Sequence, residues 1–423
     1  MKIKTLEKNG YRLHLIKNNN FKTISFKIVF WNELKKEDLA YRNMLVNNLL
    51  FSSYKYNTNR KIAIKKEELY SADIYGKTYR KGTQIVTEVC LSSIEDKYTE
   101  NGNFRNSLEF LFDCINNPNI IDNAFDEVSF NITKENIINS IKSEKESPNY
   151  EAYQKYKELI GNDKVFVGSI LGTLEEVEKI TPASLYEYYK SFFNNNHIDI
   201  YVLGNIEEKN ILFIDKYLKT DSNLISDNSI NVYTTYEKEY SEKEEDSRFN
   251  QSKLFMGGSI KSLTEHEKKY ESIIYNIILG NSPTSKLFKN IRERMSYAYT
   301  ISSSINRLDG MFVISAGISS KNYEKTKNEV INQINEMKQG LFDNKDINDA
   351  KEVVLSIIEE INDNPWAIID HYSNYLYFGA DTVEKQIDEI NKLQKEGIIK
   401  VAKKINIDTV FLLKEDEYEK ISN

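Results

Sequence analysis

With 423 residues the chain is long enough for two to three domains at about 150 residues each. Hydrophobic residues make up 40% and charged residues 29%, which excludes a disordered chain, and 28 Tyr with 20 Phe supply a sizeable core. A formal net charge of -7 speaks against nucleic acid as a partner, because phosphate binding needs a concentrated basic surface. The opening MKIKTLEKNGYRLHLI has no long apolar stretch and no small-residue cleavage site, so no signal peptide is read there. No window approaches about 20 consecutive apolar residues, so no membrane span is expected. Cys90 and Cys114 sit in the apolar runs EVCLSS and FLFDCINN and read as buried thiols rather than a disulfide framework. A soluble, cytoplasmic protein is the expectation.

In chain order, alternating apolar residues predict strands at Tyr11 to Lys17 and Thr23 to Trp31. Helical spacing follows over Asp38 to Ser53 and over Asn59 to Tyr75, the second stopping near Gly76. Gly82 to Ser93 is rich in β-branched residues and reads as a strand. Helices are predicted over Phe104 to Ile115 and Asp122 to Ile160, with a break at Pro148. Thr181-Pro182 starts another, Thr as cap and Pro in the first turn. The half closes on an apolar strand, Ile198 to Leu203, stopped by Gly204-Asn205.

Residues 219–248 interrupt this rhythm, and their KEYSEKEEDSR run reads as a charged, solvated linker. The second half then repeats the order. Lys253 to Ile260 is a predicted strand, and Thr264 with Glu267 forms a capping box for the next helix. Strands are expected at Tyr297 to Asn306 and Met311 to Ile318, and long helices at Asn322 to Gly340 and Ile347 to Asn362. A helix near Glu384 to Lys403 and a terminal strand, Thr409 to Leu413, end the chain. The pattern predicts an α+β protein of two similar halves, bounded at 1–218 and 249–423 around the 219–248 linker.

One stretch stands out, SKLFKNIRERMSYAY from Ser285 to Tyr299, where a cationic helix end hands over to an aromatic strand. Arg292 and Tyr299 flank that junction. A guanidinium and a phenol aimed at one point can hold a carbonyl or stabilise an oxyanion. The same letters also describe a salt-bridged surface helix followed by an ordinary strand, and spacing does not choose between the two. The four histidines, His14, His197, His266 and His371, include no pair within a helical turn, so no local two-histidine metal clamp exists. His14, in a strand, and His371, on a helix among tyrosines, read as structural. His266 reads as helix-start chemistry, because Tyr270 stands where a second ligand would be needed. No Ser/His/Asp or Cys/His arrangement stands out.

Several segments together resemble the pitrilysin/insulinase family of zinc peptidases and its mitochondrial processing peptidase relatives. GSILGTLEEVEKITPASLYEYYKSFFNNNHIDIYVLGNI (Gly168 to Ile206) is similar to the family's closing segment of the first domain. SKLFKNIRERMSYAYTISSS is similar to its second-domain signature. NGYRLHLIKNNNFKTISFKIVF, KKEELYSADIYG and ITKENI bring the chain nearer to short bacterial members that are not peptidases. The resemblance covers essentially the whole chain. It implies two related αβ domains, each a mixed or antiparallel sheet with helices packed on it, forming half of a clamshell.

Catalytic members of that family carry a His-x-x-Glu-His helix, two imidazoles gripping zinc with a glutamate as general base. Here the matching helix is LAYRNMLVNNLLF (Leu39 to Phe51), and the motif positions fall on Met44, Asn47 and Asn48. None is a useful zinc ligand or a base. Glu135 stands near the third-ligand position but cannot hold zinc alone. The resemblance therefore implies a non-catalytic subunit without a cofactor of its own. Its partner would be a zinc-bearing paralogous subunit, and Arg292 and Tyr299 would act in trans on that subunit's zinc site during peptide or precursor processing. The alternative is a peptide-binding accessory or scaffold for another enzyme, such as one that modifies elongation factor P, with no role in hydrolysis.

Overall fold

Alternation along the strands decides which sheet face meets helices. The structure, a computed structural model, describes residues 2–206, 208, 211–218 and 236–416. They group into two units: one takes the described residues of Met1–Lys142, Gly168–Asn231 and Asn364–Ser373, the other those of Ser143–Val167, Val232–Asp363 and Asn374–Asn423.

The first unit holds β1 (Lys2–Lys8), β2 (Tyr11–Lys17), β3 (Thr23–Glu33), β4 (Asp73–Lys81) and β5 (Gln84–Ile94). A two-residue pair follows, β6 (Ile120–Ile121) with β7 (Ala124–Phe125), and then β8 (His197–Gly204). The six longer strands form one sheet in the order β1-β2-β8-β3-β5-β4. All neighbours are antiparallel except β2 and β8. Along β3, Ile24, Phe26, Ile28 and Phe30 enter the apolar core beneath the helices. Ser25, Lys27 and Trp31 alternate with them on the other face.

The second unit holds β9 (Ser241–Asp246), β10 (Ser252–Ser259), β11 (Ala298–Asn306), β12 (Met311–Ile318) and β13 (Thr409–Lys414). Its sheet runs β11-β12-β10-β13-β9, antiparallel except for β13 with β9. Taken from the hairpin edge, β4-β5-β3-β8-β2 and β11-β12-β10-β13-β9 have the same connectivity and the same single parallel pair. The repeated order of elements is thus a repeated topology, and β1 is the addition in the first sheet.

Each unit also takes a helix from the other half of the sequence. Both helices begin with proline, Pro148–Ile160 and Pro365–Tyr377, and each follows a long helix, Glu127–Lys145 or Asn344–Glu360. In the second unit Ala152, Tyr156 and Ile160 pack on Phe255, Val313, Phe411 and Leu413, while Leu254, Met256, Phe312 and Leu412 face the opposite core. That sheet is buried on both faces. In the first unit the cover is polar and aromatic: Lys27 Nζ lies 2.5 Å from Asp370, and the Lys27 ammonium sits 5.6 Å from the Trp366 ring centre. This exchange is one that a linear division at 218 and 249 does not express.

Four local expectations change. The helix predicted to reach Tyr75 ends at Glu68, and Gly76 lies inside β4. There it admits the neighbouring helix, since a Cβ would come 2.3 Å from Val46 Cγ2. Within the predicted linker, residues 219–235 lie outside the described residues, but Ser241–Asp246 is an edge strand. Pairing with β13 uses backbone groups, and the charged side chains suit an edge facing water. The helix expected over Glu384 to Lys403 is two, Val383–Lys392 and Lys395–Lys404. Strand β1 was not predicted, its lysines masking a weak alternation.

Candidate functional site

The Lys36–Phe51 helix carries Met44, Asn47 and Asn48, the positions that the resemblance sets against the family's zinc motif. Met44 is fully buried in the apolar core. Asn48 is buried too, and its Nδ2 donates to Thr133 Oγ1 at 2.7 Å. Thr133 Oγ1 donates in turn to the carbonyls of Ser129 and Phe130. Asn47 is exposed and its Nδ2 donates to Asn43 O at 2.8 Å. A thioether in the core and two amides committed as donors do not fit zinc. Thr133 faces Asn48 from the Glu127–Lys145 helix, whereas Glu135, two residues on, is exposed. The space between these helices is closed by packing, by the Asn48–Thr133 bond and by a hydroxyl–hydroxyl bond from Ser52 Oγ to Ser129 Oγ at 2.9 Å. No group of three or more His, Cys, Asp or Glu suited to a metal occurs among the described residues.

The segment around Arg292 and Tyr299 lies in the second unit and holds three departures from regular backbone. Phe288–Arg294 is wound as a π-helix. Ser296 has φ +53°, a left-handed conformation uncommon outside glycine. A β-bulge then falls between Ala298 and Thr300, so Tyr299 is the extra, unpaired residue of β11. π-turns and bulges frequently mark functional sites, where they re-aim a side chain. Buried Leu287, Ile291, Ala298 and Ile301 hold the segment in the core. Asn290 Nδ2 donates to Gln333 Oε1 at 3.0 Å and Asn322 Nδ2 to Tyr297 O at 3.3 Å, pinning both sides of the junction.

This framework leaves the two candidates in water. Arg292 is exposed and Tyr299 is 60% exposed. The Arg292 guanidinium lies 4.6 Å from the Phe288 ring centre. Among the described residues neither side chain makes a hydrogen bond or ion pair, and they do not bond each other. Both keep their full donor capacity. The sequence suggested the residues but not the irregular backbone that presents them, because no letter in SKLFKNIRERMSYAY announces a π-turn.

A second polar cluster went unanticipated. Asp199, buried in β8, accepts from Arg12 Nε (3.0 Å), His14 Nε2 (3.0 Å) and Trp31 Nε1 (2.8 Å). His14 Nδ1 bonds Thr5 Oγ1 at 2.9 Å, and its ring stacks on Tyr201. Burial pushes the Asp199 carboxyl up, but the His14 bond, the Arg12 charge and the Trp31 N–H outweigh it and hold the group below its usual range. His14 is therefore a structural histidine, as read. The missed signal was an aspartate inside the apolar strand HIDIYVLG. His266 bonds Glu271 and Glu389 beside the predicted Thr264–Glu267 capping box, which is present. Burial pushes the Cys90 and Cys114 thiols up to about 12.

Residues 179–354 match the family model described as Peptidase M16 inactive domain. Over 420 residues, 96% of each chain, the sequence is 27% identical to "Probable inactive metalloprotease YmfF" of Bacillus subtilis. It is 21% identical to "Uncharacterized zinc protease YmxG" of the same organism over 67% of this chain and 69% of that one. Among solved structures, a conserved protein from Enterococcus faecalis V583 superposes with a TM-score of 0.89 at 24% identity, covering 98% of this chain and 99% of that one. A peptidase M16 inactive domain from Pseudomonas fluorescens gives 0.78 at 16% identity, over 98% and 97%. The fold is that of the M16-like peptidases. In sequence the chain is thus similar to inactive members of the M16 family over residues 179–354 and, at lower identity, over nearly its whole length.

Proposed function

We propose that this chain is the non-catalytic subunit of a two-chain zinc peptidase, cytoplasmic, in which a zinc-bearing relative holds the metal. This chain would bring Arg292 and Tyr299 to that site. The single observation carrying the reading is the π-turn, left-handed Ser296 and bulge at Tyr299, which leave both donors exposed and without a hydrogen bond or ion pair. Arg292 would grip a peptide carbonyl through a charge-assisted hydrogen bond, and Tyr299 would donate to the oxyanion as it forms. Peptides or precursor proteins are the substrates.

The test is a titration of this chain into the relative with the intact His-x-x-Glu-His helix, read as peptidase activity. Activity should rise and level off near one chain per partner, with none from this chain alone. A flat titration overturns the proposal. The second reading, a peptide-binding accessory to an enzyme that is not a peptidase, is favoured by the exposure of Lys289, Arg292 and Arg294 together, a surface able to hold a peptide without cutting it. Co-purification of a modification enzyme in place of the zinc-bearing relative would decide for it.

A further inference from the structure

Phe288–Arg294 and the residues after it hold a backbone that their own letters do not favour. A π-turn is rare, and Ser296 at φ +53° is in a conformation uncommon outside glycine. Such departures persist only where the surroundings over-determine them. The Met295 N–H donates to Asn290 O and the Tyr297 N–H to Ile291 O, so the turn closes on the carbonyls of Asn290 and Ile291. Rewinding it as an α-helix would rotate the side chains beyond the extra residue by about 100° relative to those before it. The aim of Arg292 and the seating of Tyr299 therefore depend on which winding is held.

Leu287 and Ile291 anchor the segment in the core, but apolar contacts are non-directional. Direction comes from the Tyr323–Lys338 helix and its cap. Before the turn, Lys286 Nζ lies 2.8 Å from Glu336 Oε2. Within it, Asn290 Nδ2 donates to Gln333 Oε1 at 3.0 Å. After it, Asn322 Nδ2 donates to Tyr297 O at 3.3 Å. The middle contact holds the residue whose carbonyl accepts from Met295.

Gln333 is an unusual side chain for its position. It is 2% exposed and shares the buried stripe of its helix with Tyr323, Val330, Ile334 and Met337. A buried amide costs free energy unless its polar atoms are bonded. Here both are: Oε1 accepts from Asn290, and Nε2 donates to Glu329 Oε1 at 2.7 Å. A leucine would fill the same place with no amide to desolvate, so what the amide adds is direction.

We infer that Gln333 is a positioning residue: through Asn290 it locks the winding of the turn and thereby sets the aim of Arg292 and Tyr299. Its effect on catalysis rests on the function proposed above, whereas the lock itself does not. Hydrogen exchange of the full chain, followed by mass spectrometry, reads the lock without a partner. Gln333→Met keeps the length and removes both bonds, and Asn290→Ala removes their shared bond from the half-buried side. In each variant, peptides covering Phe288 to Tyr297 should exchange about tenfold faster, while those covering Met311–Ile318 keep their rate. The double variant should exchange no faster than the faster single one. Unchanged exchange in both single variants, or an additive double, overturns the inference. Steady-state kinetics of the mixed pair read the aim. Gln333→Met should lower kcat about tenfold at unchanged KM. Val330→Ala, a core truncation on the same helix, should lower the thermal midpoint and leave kcat as it is. Full kcat for Gln333→Met, where Arg292→Ala is impaired, overturns the inference. If Arg292→Ala is itself without effect, the proposed function fails and the exchange rates alone decide the lock.

Discussion

Asp199 is a buried carboxylate on which three side chains of the first unit converge. Its carboxylate answers Arg12, His14 and Trp31 at once, and removing it leaves a guanidinium with little access to water. Asp199→Asn should cost about 3 kcal/mol, measured by urea unfolding, since breaking one side of a buried pair leaves the other uncompensated. His266 gives a pH signature instead. Burial lowers its affinity for a proton, but the bonds to Glu389 and Glu271 outweigh this and raise its pKa above the ordinary 6.5. Tyr270 packs on the ring, and Lys392 shares Glu389. With a raised folded value, the stabilisation is complete below about pH 6.5 and is lost as pH rises through the raised value. A His266→Gln variant should lack that decline in thermal midpoint as pH rises above 6.5. Single residues were readable where their partners are local, as with the Thr264–Glu267 box. The Asp199 network joins three strands, and no local spacing announces it.

At the scale of elements, glycines mark close approaches rather than stops. A Cβ on Gly257 in β10 would lie 2.2 Å from Phe312 O and 2.3 Å from Tyr156 Oη. The carbonyl belongs to the ladder and cannot retreat, so Gly257→Ala should destabilise by about 2 kcal/mol or more by calorimetry. Tyr156→Phe should not rescue it fully, because only the hydroxyl contact is removed. Gly76 was misread as a helix end for the same reason: the sequence shows a glycine, and only packing shows what presses against it. Most strands and long helices were nevertheless readable, since β3, β5 and β8 have clean apolar alternation and Thr181-Pro182 and Pro148 punctuate helices plainly. The π-turn and the Tyr299 bulge were not, because insertion of one residue into a helix or strand leaves the composition unchanged.

Across the whole molecule, one topology occurs twice and each copy is completed by a helix from the other half of the sequence. Without Pro148–Ile160, the second sheet would expose Phe255, Val313, Phe411 and Leu413. A fragment beginning at residue 232 is therefore expected to bind an apolar dye such as ANS strongly, and co-expression with the 1–231 fragment should suppress that signal. The repeat was visible in the order of elements, but the exchange was not, because a helix carries no mark of which sheet it covers. That Met44, Asn47 and Asn48 stand at zinc-motif positions rests on the resemblance, and the structure adds only that Met44 and Asn48 are buried there. The claim that matters most is that Arg292 and Tyr299 act on a metal held by another chain. Its most direct measurement is kcat/KM of the mixed pair with wild-type, Arg292→Ala and Tyr299→Phe chains, with assembly followed by sedimentation. The account predicts a loss of about a hundredfold for each variant in an intact complex, and equal kcat/KM in that complex would contradict it.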